Sequence, residues 1–215
     1  MDAGGVRRQG MDGPRMLVDA FIWLWVNVMF PGPIGRCDPA PDDKLHWTTA
    51  ERQEARDMAN ESVRARGARP IFVAYLDSVT IRESSAFASR WHDGGAGLGM
   101  HGINITTHRK RWPTPLNPAI CSPRVSAAIV QDIAADCLTR HGASTAWELQ
   151  ACFAGRFQCT PNGEGECTGP MQDRTTSAIC ERMQNRGFRC HGPITLKDLG
   201  RRMTLDERLA LGAGR

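Results

Sequence analysis

Eight cysteines constrain this chain more than any other feature: Cys37, Cys121, Cys137, Cys152, Cys159, Cys167, Cys180 and Cys190. The number is even, and all but Cys37 fall after residue 120, in a stretch also rich in glycine and proline. No pair has the C-x2–4-C spacing that zinc sites favour, so disulfides formed in an oxidising compartment are the better reading. The alternative is a set of free buried thiols in a reducing compartment. One sequence does not give the pairing.

With 215 residues the chain can build one well-cored domain and keep some length for a terminal segment. Apolar residues make up 41% and charged residues 23%, the balance of a soluble globular protein rather than a disordered one. The formal charge of +4 suits an anionic polymer such as cell wall, and equally suits no particular partner. No Lys/Arg block has the density or interleaved aromatics of a nucleic-acid groove, and the nearest, Arg109-Lys110-Arg111, reads as a solvated loop. Nucleic acid is therefore not an expected partner.

At the amino terminus Arg7, Arg8 and Arg15 precede an apolar run from Met16 to Phe30, which Pro31-Gly32-Pro33 ends. This is the layout of a secretory signal or signal anchor. The run is shorter than the roughly 20 residues of a full bilayer span. Asp19 and Asn27 also fit poorly in hydrocarbon. Arg36 directly before Cys37 argues against a lipoprotein site. Export to the periplasm or cell envelope is the expectation, with the segment either cleaved or kept as an anchor. The alternative is a helix of the mature protein that is buried or binds a partner. Residues 1–46 thus read as this segment plus a Pro-rich linker, and 47–215 as the folded domain.

Within the domain, helical signals dominate. Thr48-x-x-Glu51 is a capping box, and Ala55, Met58, Ala59 and Val63 follow at helical spacing until Gly67. A second helix starts after Pro70, with Phe72, Leu76 and Val79 on one face, Tyr75 beside them, and Glu83 continuing the stripe. The segment 94–102 is too glycine-dense for an element interior, and 104–120 looks irregular. Ser122-Pro123 starts a helix whose apolar face is Val125, Ala128, Ile129, Ile133 and Cys137, and Gly142 ends it. Thr145-x-x-Glu148 caps another through Ala154, and a further helix runs from about Asp173 to Arg186 before Gly187. Short helices are expected from Thr195. No repeat and no convincing period-2 strand is found, so the fold class is mainly α with a disulfide-rich carboxyl-terminal part.

Glu83 is the candidate for chemistry. A carboxyl that continues an apolar stripe faces core or cleft, where desolvation penalises the charged form and raises the pKa. A carboxylic acid that stays protonated is what glycosidic cleavage requires, because the leaving oxygen must receive a proton. On its own, a glutamate at a helix end is more often a surface residue or an ion-pair partner.

The surroundings change that balance. Ile81-Arg82-Glu83-Ser84-Ser85 resembles the helix-end motif of the lytic transglycosylase and goose-type lysozyme superfamily, in which the catalytic glutamate is followed by serine. Some 14 residues on, Gly97-Leu98-Gly99-Met100-His101-Gly102 resembles its glycine-rich G-L-M-Q or G-L-G-Q motif. Asn117-Pro118 before the helix at Ser122, and Ala151-Cys152-Phe153-Ala154-Gly155, resemble the N-x-x-x-P and A-Y-N-A-G segments in the same order, over about residues 48–190. There are departures. Met100 or His101 stands where the family has glutamine, Cys152 stands for a tyrosine that helps orient the catalytic acid, and Phe153 stands for asparagine.

The resemblance implies a lysozyme-like helical domain that cleaves the MurNAc–GlcNAc β-1,4 bond of peptidoglycan glycan strands, with no metal and no cofactor. Glu83 would be the catalytic acid. Ser84, Ser85, Gly97, Leu98, Gly99, Met100 and His101 would bind substrate. The implied setting is a bacterial envelope, a secretion machine or a phage particle, and the apolar amino-terminal run favours the first two. Asp93 is the nearest candidate for a hydrolase base, though it reads first as a turn former before Gly94. Trp91 and Trp112 offer faces for sugar rings or, more commonly, for the core. G-x-S-x-G and H-E-x-x-H are both absent, which leaves two rivals: a hydrolytic lysozyme on the same fold, and a non-enzymatic wall-binding or envelope structural protein.

Overall fold

A computed structural model describes residues 46–88, 91–92, 97–104, 120–154, 174–204 and 207. The amino-terminal apolar run, the Arg109–Arg111 run, Trp112, Asn117-Pro118 and the segment 156–172 lie outside the described residues. Among the described residues six helices form the body: α1 (Thr49–Ala65), α2 (Pro70–Ser84), α3 (Pro123–Arg140), α4 (Ala146–Phe153), α5 (Arg174–Gln184) and α6 (Leu196–Leu199). None of the described helices is long and apolar enough to cross a membrane.

Local chemistry sets most helix starts. The Thr48 hydroxyl accepts from the Glu51 amide at 3.2 Å while the Glu51 carboxylate accepts from the Thr48 amide at 2.6 Å, which closes the capping box on α1. Thr145 and Glu148 do the same for α4 at 3.2 and 3.1 Å. Ser122 takes the cap position of α3 with Pro123 behind it, but its hydroxyl makes no capping bond. There the preset φ of proline and the extended backbone of Ser122 suffice.

Among the described helices, α2 is enclosed on several sides. The sequence pattern shows one apolar face, yet every residue from Phe72 to Thr80 is buried, because α1, α5 and α6 all pack around it. Its buried hydroxyls are satisfied by their own helix: Ser78 donates to the Ala74 carbonyl at 2.7 Å and Thr80 to Leu76 at 3.0 Å. α3 packs along α1 and against α4 and α6, and α4 also touches α5. Phe72, Tyr75, Leu76, Ile129, Ile133, Leu149, Ile179, Met183 and Leu199 are fully buried where these helices meet. Each contributes on the order of 1.5–3 kcal/mol of apolar burial.

Disulfides reinforce the carboxyl-terminal half. Cys137 at the end of α3 is joined to Cys152 in α4, with Cα atoms 5.9 Å apart, and Cys180 in α5 is joined to Cys190. Cys121 is also disulfide-bonded. Cross-links of this kind suggest an oxidising, exported environment.

The chain ahead of α3 departs from the purely helical reading. Trp91–His92 (β1), Gly97–Leu98 (β2) and Ile103–Asn104 (β3) form a small antiparallel sheet, pairing Leu98 with both Trp91 and Ile103. Each strand has only two residues, too few to show a period, and β2 lies inside the glycine-dense segment expected to be loop. At the far end, Gly200 (φ +77) crosses the α1–α2 corner so closely that a Cβ there would lie 2.5 Å from the Ala68 nitrogen. The Arg201 amide donates to the Arg66 carbonyl at 2.7 Å, and the Arg69 amide to the Asp198 carbonyl at 2.9 Å.

Candidate active site

Glu83 occupies the last turn of α2 and is half-buried. Immediately after it, Ser85 (φ 54) and Ala86 (φ 69) both take left-handed backbone, and the amides of Ser85 and Ala86 return to the Ile81 and Thr80 carbonyls at 3.1 and 3.3 Å. Two consecutive side-chain-bearing residues in this region cost about 1–2 kcal/mol each. They turn the chain sharply off the helix, and the turn leaves the Glu83 carboxyl at the helix end.

The glycine-rich segment comes back over that end. Ser84 is fully buried, and its hydroxyl donates to the Met100 carbonyl at 2.7 Å and lies 3.2 Å from the Thr80 carbonyl. This bond ties the 99–102 turn to α2. Gly102 (φ +59) then lies flat against Glu83: a Cβ built there would meet Glu83 Oε2 at 3.2 Å and Cβ at 3.5 Å. A Cβ here would make the carboxyl end of Glu83 give by a few tenths of an ångström, and the left-handed backbone also favours glycine. Gly99 (φ +76) makes a similar approach to the Ile120 carbonyl, at 2.8 Å from its absent Cβ.

The remaining expected substrate contacts divide unevenly. Gly97 and Leu98 form β2, and both are buried. Met100 and His101 are completely buried, so their side chains belong to the core and do not face a sugar. His101, expected to bind substrate, is enclosed instead. Its Nδ1 lies 2.7 Å from the Ser126 hydroxyl of α3, and Nε2 has no partner among the described residues. Burial drives its pKa down to about 3, against a smaller upward pull from Asp77, so the ring is neutral. Ser85 is exposed at the turn. Asp93 and the side chain of Trp91 lie outside the described residues.

Two residues near the site were not singled out by sequence. Tyr75 is fully buried, and its hydroxyl donates to Gln150 Oε1 of α4 at 2.9 Å. Burial first, and then the negative charge of Glu83, push that hydroxyl above the ordinary phenol range. A glutamine among Ala146, Leu149 and Phe153 on the buried face of α4 was the available signal. Cys152 follows directly, and its Sγ is committed to Cys137.

Comparison with family models, with curated proteins and with solved structures gives no match to this chain.

Proposed function

We propose that this protein is a lytic transglycosylase with a lysozyme-like domain, cleaving the MurNAc–GlcNAc bond of peptidoglycan with Glu83 as its single catalytic carboxyl. The observation that carries the reading is the seating of the Glu83 carboxyl against Gly102, at the end of a buried helix and under a glycine turn. A polymer strand needs an open groove with an acid at its wall, and backbone with no Cβ lets a sugar ring approach closely.

In this mechanism protonated Glu83 gives its proton to the glycosidic oxygen as the C1–O bond breaks. The resulting carboxylate takes the proton of the muramoyl 6-hydroxyl while that oxygen bonds to C1. An anhydro end forms, Glu83 is reprotonated, and no water is consumed. The tie from Ser84 to the Met100 carbonyl holds the turn over the acid, a positioning role. Tyr75 and Gln150 form a buried hydrogen-bonded pair behind it, in a chain whose Cys152 replaces the tyrosine of the resembled motif.

Digestion of purified peptidoglycan followed by mass spectrometry tests this directly. Anhydro-muropeptides, lighter by one water than hydrolysis products, are expected from the parent protein. Glu83→Gln is expected to lower their release at least about a hundredfold, the scale of a lost general acid. Full-mass products would instead indicate a hydrolase. Equal activity of the variant, or none from the parent, defeats the catalytic reading.

A further inference from the structure

On another side of α2, away from Glu83, a recess of about 230 Å³ opens among α1, α2 and α5. It is lined by Arg56, Asp77, Ser78, Arg182, Asn185 and Arg186. Three guanidiniums thus meet one carboxylate, an excess of two positive charges around a small volume. Asp77 forms the floor, with its side chain only 2% exposed. It accepts from Arg56 through both oxygens and from Asn60 at 2.9 Å, and it pairs with Arg186. These bonds fix the Arg56 and Arg186 forks while leaving donors on each unused, since a guanidinium carries five.

Arg182 is different. It has no ion-pair partner among the described residues, and it stands in the last turn of α5, four residues before Arg186 in the turn that follows the helix. Like charges lining one small recess repel. One cation in the last turn complements the helix dipole, but the dipole does not account for three guanidiniums gathered at one recess. A bound anion does: it offsets the repulsion and uses the free donors in the planar, bidentate way that suits arginine.

We infer that this recess is a binding site for a small ligand carrying a carboxylate or phosphate group, held by Arg182 and Arg186 over the preset Arg56–Asp77 pair. The site is independent of glycan cleavage, because Glu83 takes no part in it.

Isothermal titration of the oxidised full chain, at ionic strength held constant with sodium chloride, tests the inference with inorganic phosphate and with D-alanyl-D-alanine as probes. One saturable site is expected for at least one probe. Arg182→Ala should weaken it at least about fivefold and Arg182→Glu should abolish it, while Arg64→Ala, on the exposed side of α1, should change nothing. Arg182 is exposed, so both variants are expected to fold, and matching circular dichroism spectra check this. Saturation by phosphate alone assigns a phosphoryl ligand and saturation by the dipeptide alone assigns a terminal carboxylate; either outcome upholds the site. A heat signal that never saturates for either probe overturns it, as does an affinity that Arg182→Glu leaves unchanged.

Discussion

Gly102 has no side chain, and Glu83 Oε2 lies 3.2 Å from where its Cβ would be. Alanine there would bear left-handed backbone and press on the acid at once. Gly102→Ala is expected to cost about 1–2 kcal/mol of stability and to slow muropeptide release about tenfold or more through misplacement of the carboxyl. Gly187→Ala is the matched control: φ is +80 there, but nothing lies within 4 Å of the new methyl. It should lose similar stability with an unchanged rate, and equal rates for the two variants would remove any role for the contact. Ser85 presents the opposite case, a side chain where backbone geometry favours glycine. Ser85→Gly should raise stability by about 0.5–1 kcal/mol, read as a higher midpoint in denaturant. A lower midpoint would mean that the serine hydroxyl holds the turn.

Among the elements, the Cys137–Cys152 link bears on α3 and α4 together, and it closes a loop of 15 residues. Replacing both cysteines by serine is expected to cost about 3 kcal/mol, measured by denaturant unfolding of the oxidised protein. A loss under about 1 kcal/mol would show that buried packing alone holds α4. How far such elements can be read from sequence depends on how local their causes are. The capping boxes at Thr48 and Thr145 involve residues three apart, so α1 and α4 were legible to within a residue at their starts. The face of α2 was legible too, but not its enclosure, since Asp77, Ser78 and Thr80 are buried only because α1 and α5 close over the polar side. The sheet at 91–104 was invisible: its strands exist through pairing across the turn, not through their own residues. At the site, Glu83 and the glycine segment were readable as neighbours. The burial of His101 was not, because Ser126, which receives it, lies 25 positions on.

For the molecule as a whole, that buried histidine sets the expected response to acid. In the unfolded chain its pKa is near 6.5, and folding lowers it to about 3. Between those values the unfolded state binds the extra proton, so the stability this group secures is complete above about pH 6.5. It falls as the pH drops towards 3, by up to about 1.4 kcal/mol per pH unit. Asp77 acts lower on the scale. Burial pushes its carboxyl up, but hydrogen bonds from Arg56 and Asn60 prevail and hold it below its ordinary 3.8, so its share is lost only below that value. Thermal midpoints from pH 4.5 to 7 should therefore rise with pH in the parent protein and flatten in His101→Gln, and parallel curves for the two would refute the assignment.

The crossing at Gly200 bears on the order in which the molecule assembles. Helices α1 and α2 are synthesised well before residues 198 and 201, yet the corner joining them takes hydrogen bonds from both. The Arg66 carbonyl and the Arg69 amide therefore stay solvated until α3, α4 and α5 have been synthesised. The native corner is thus completed by a late closure rather than laid down whole with its own two helices.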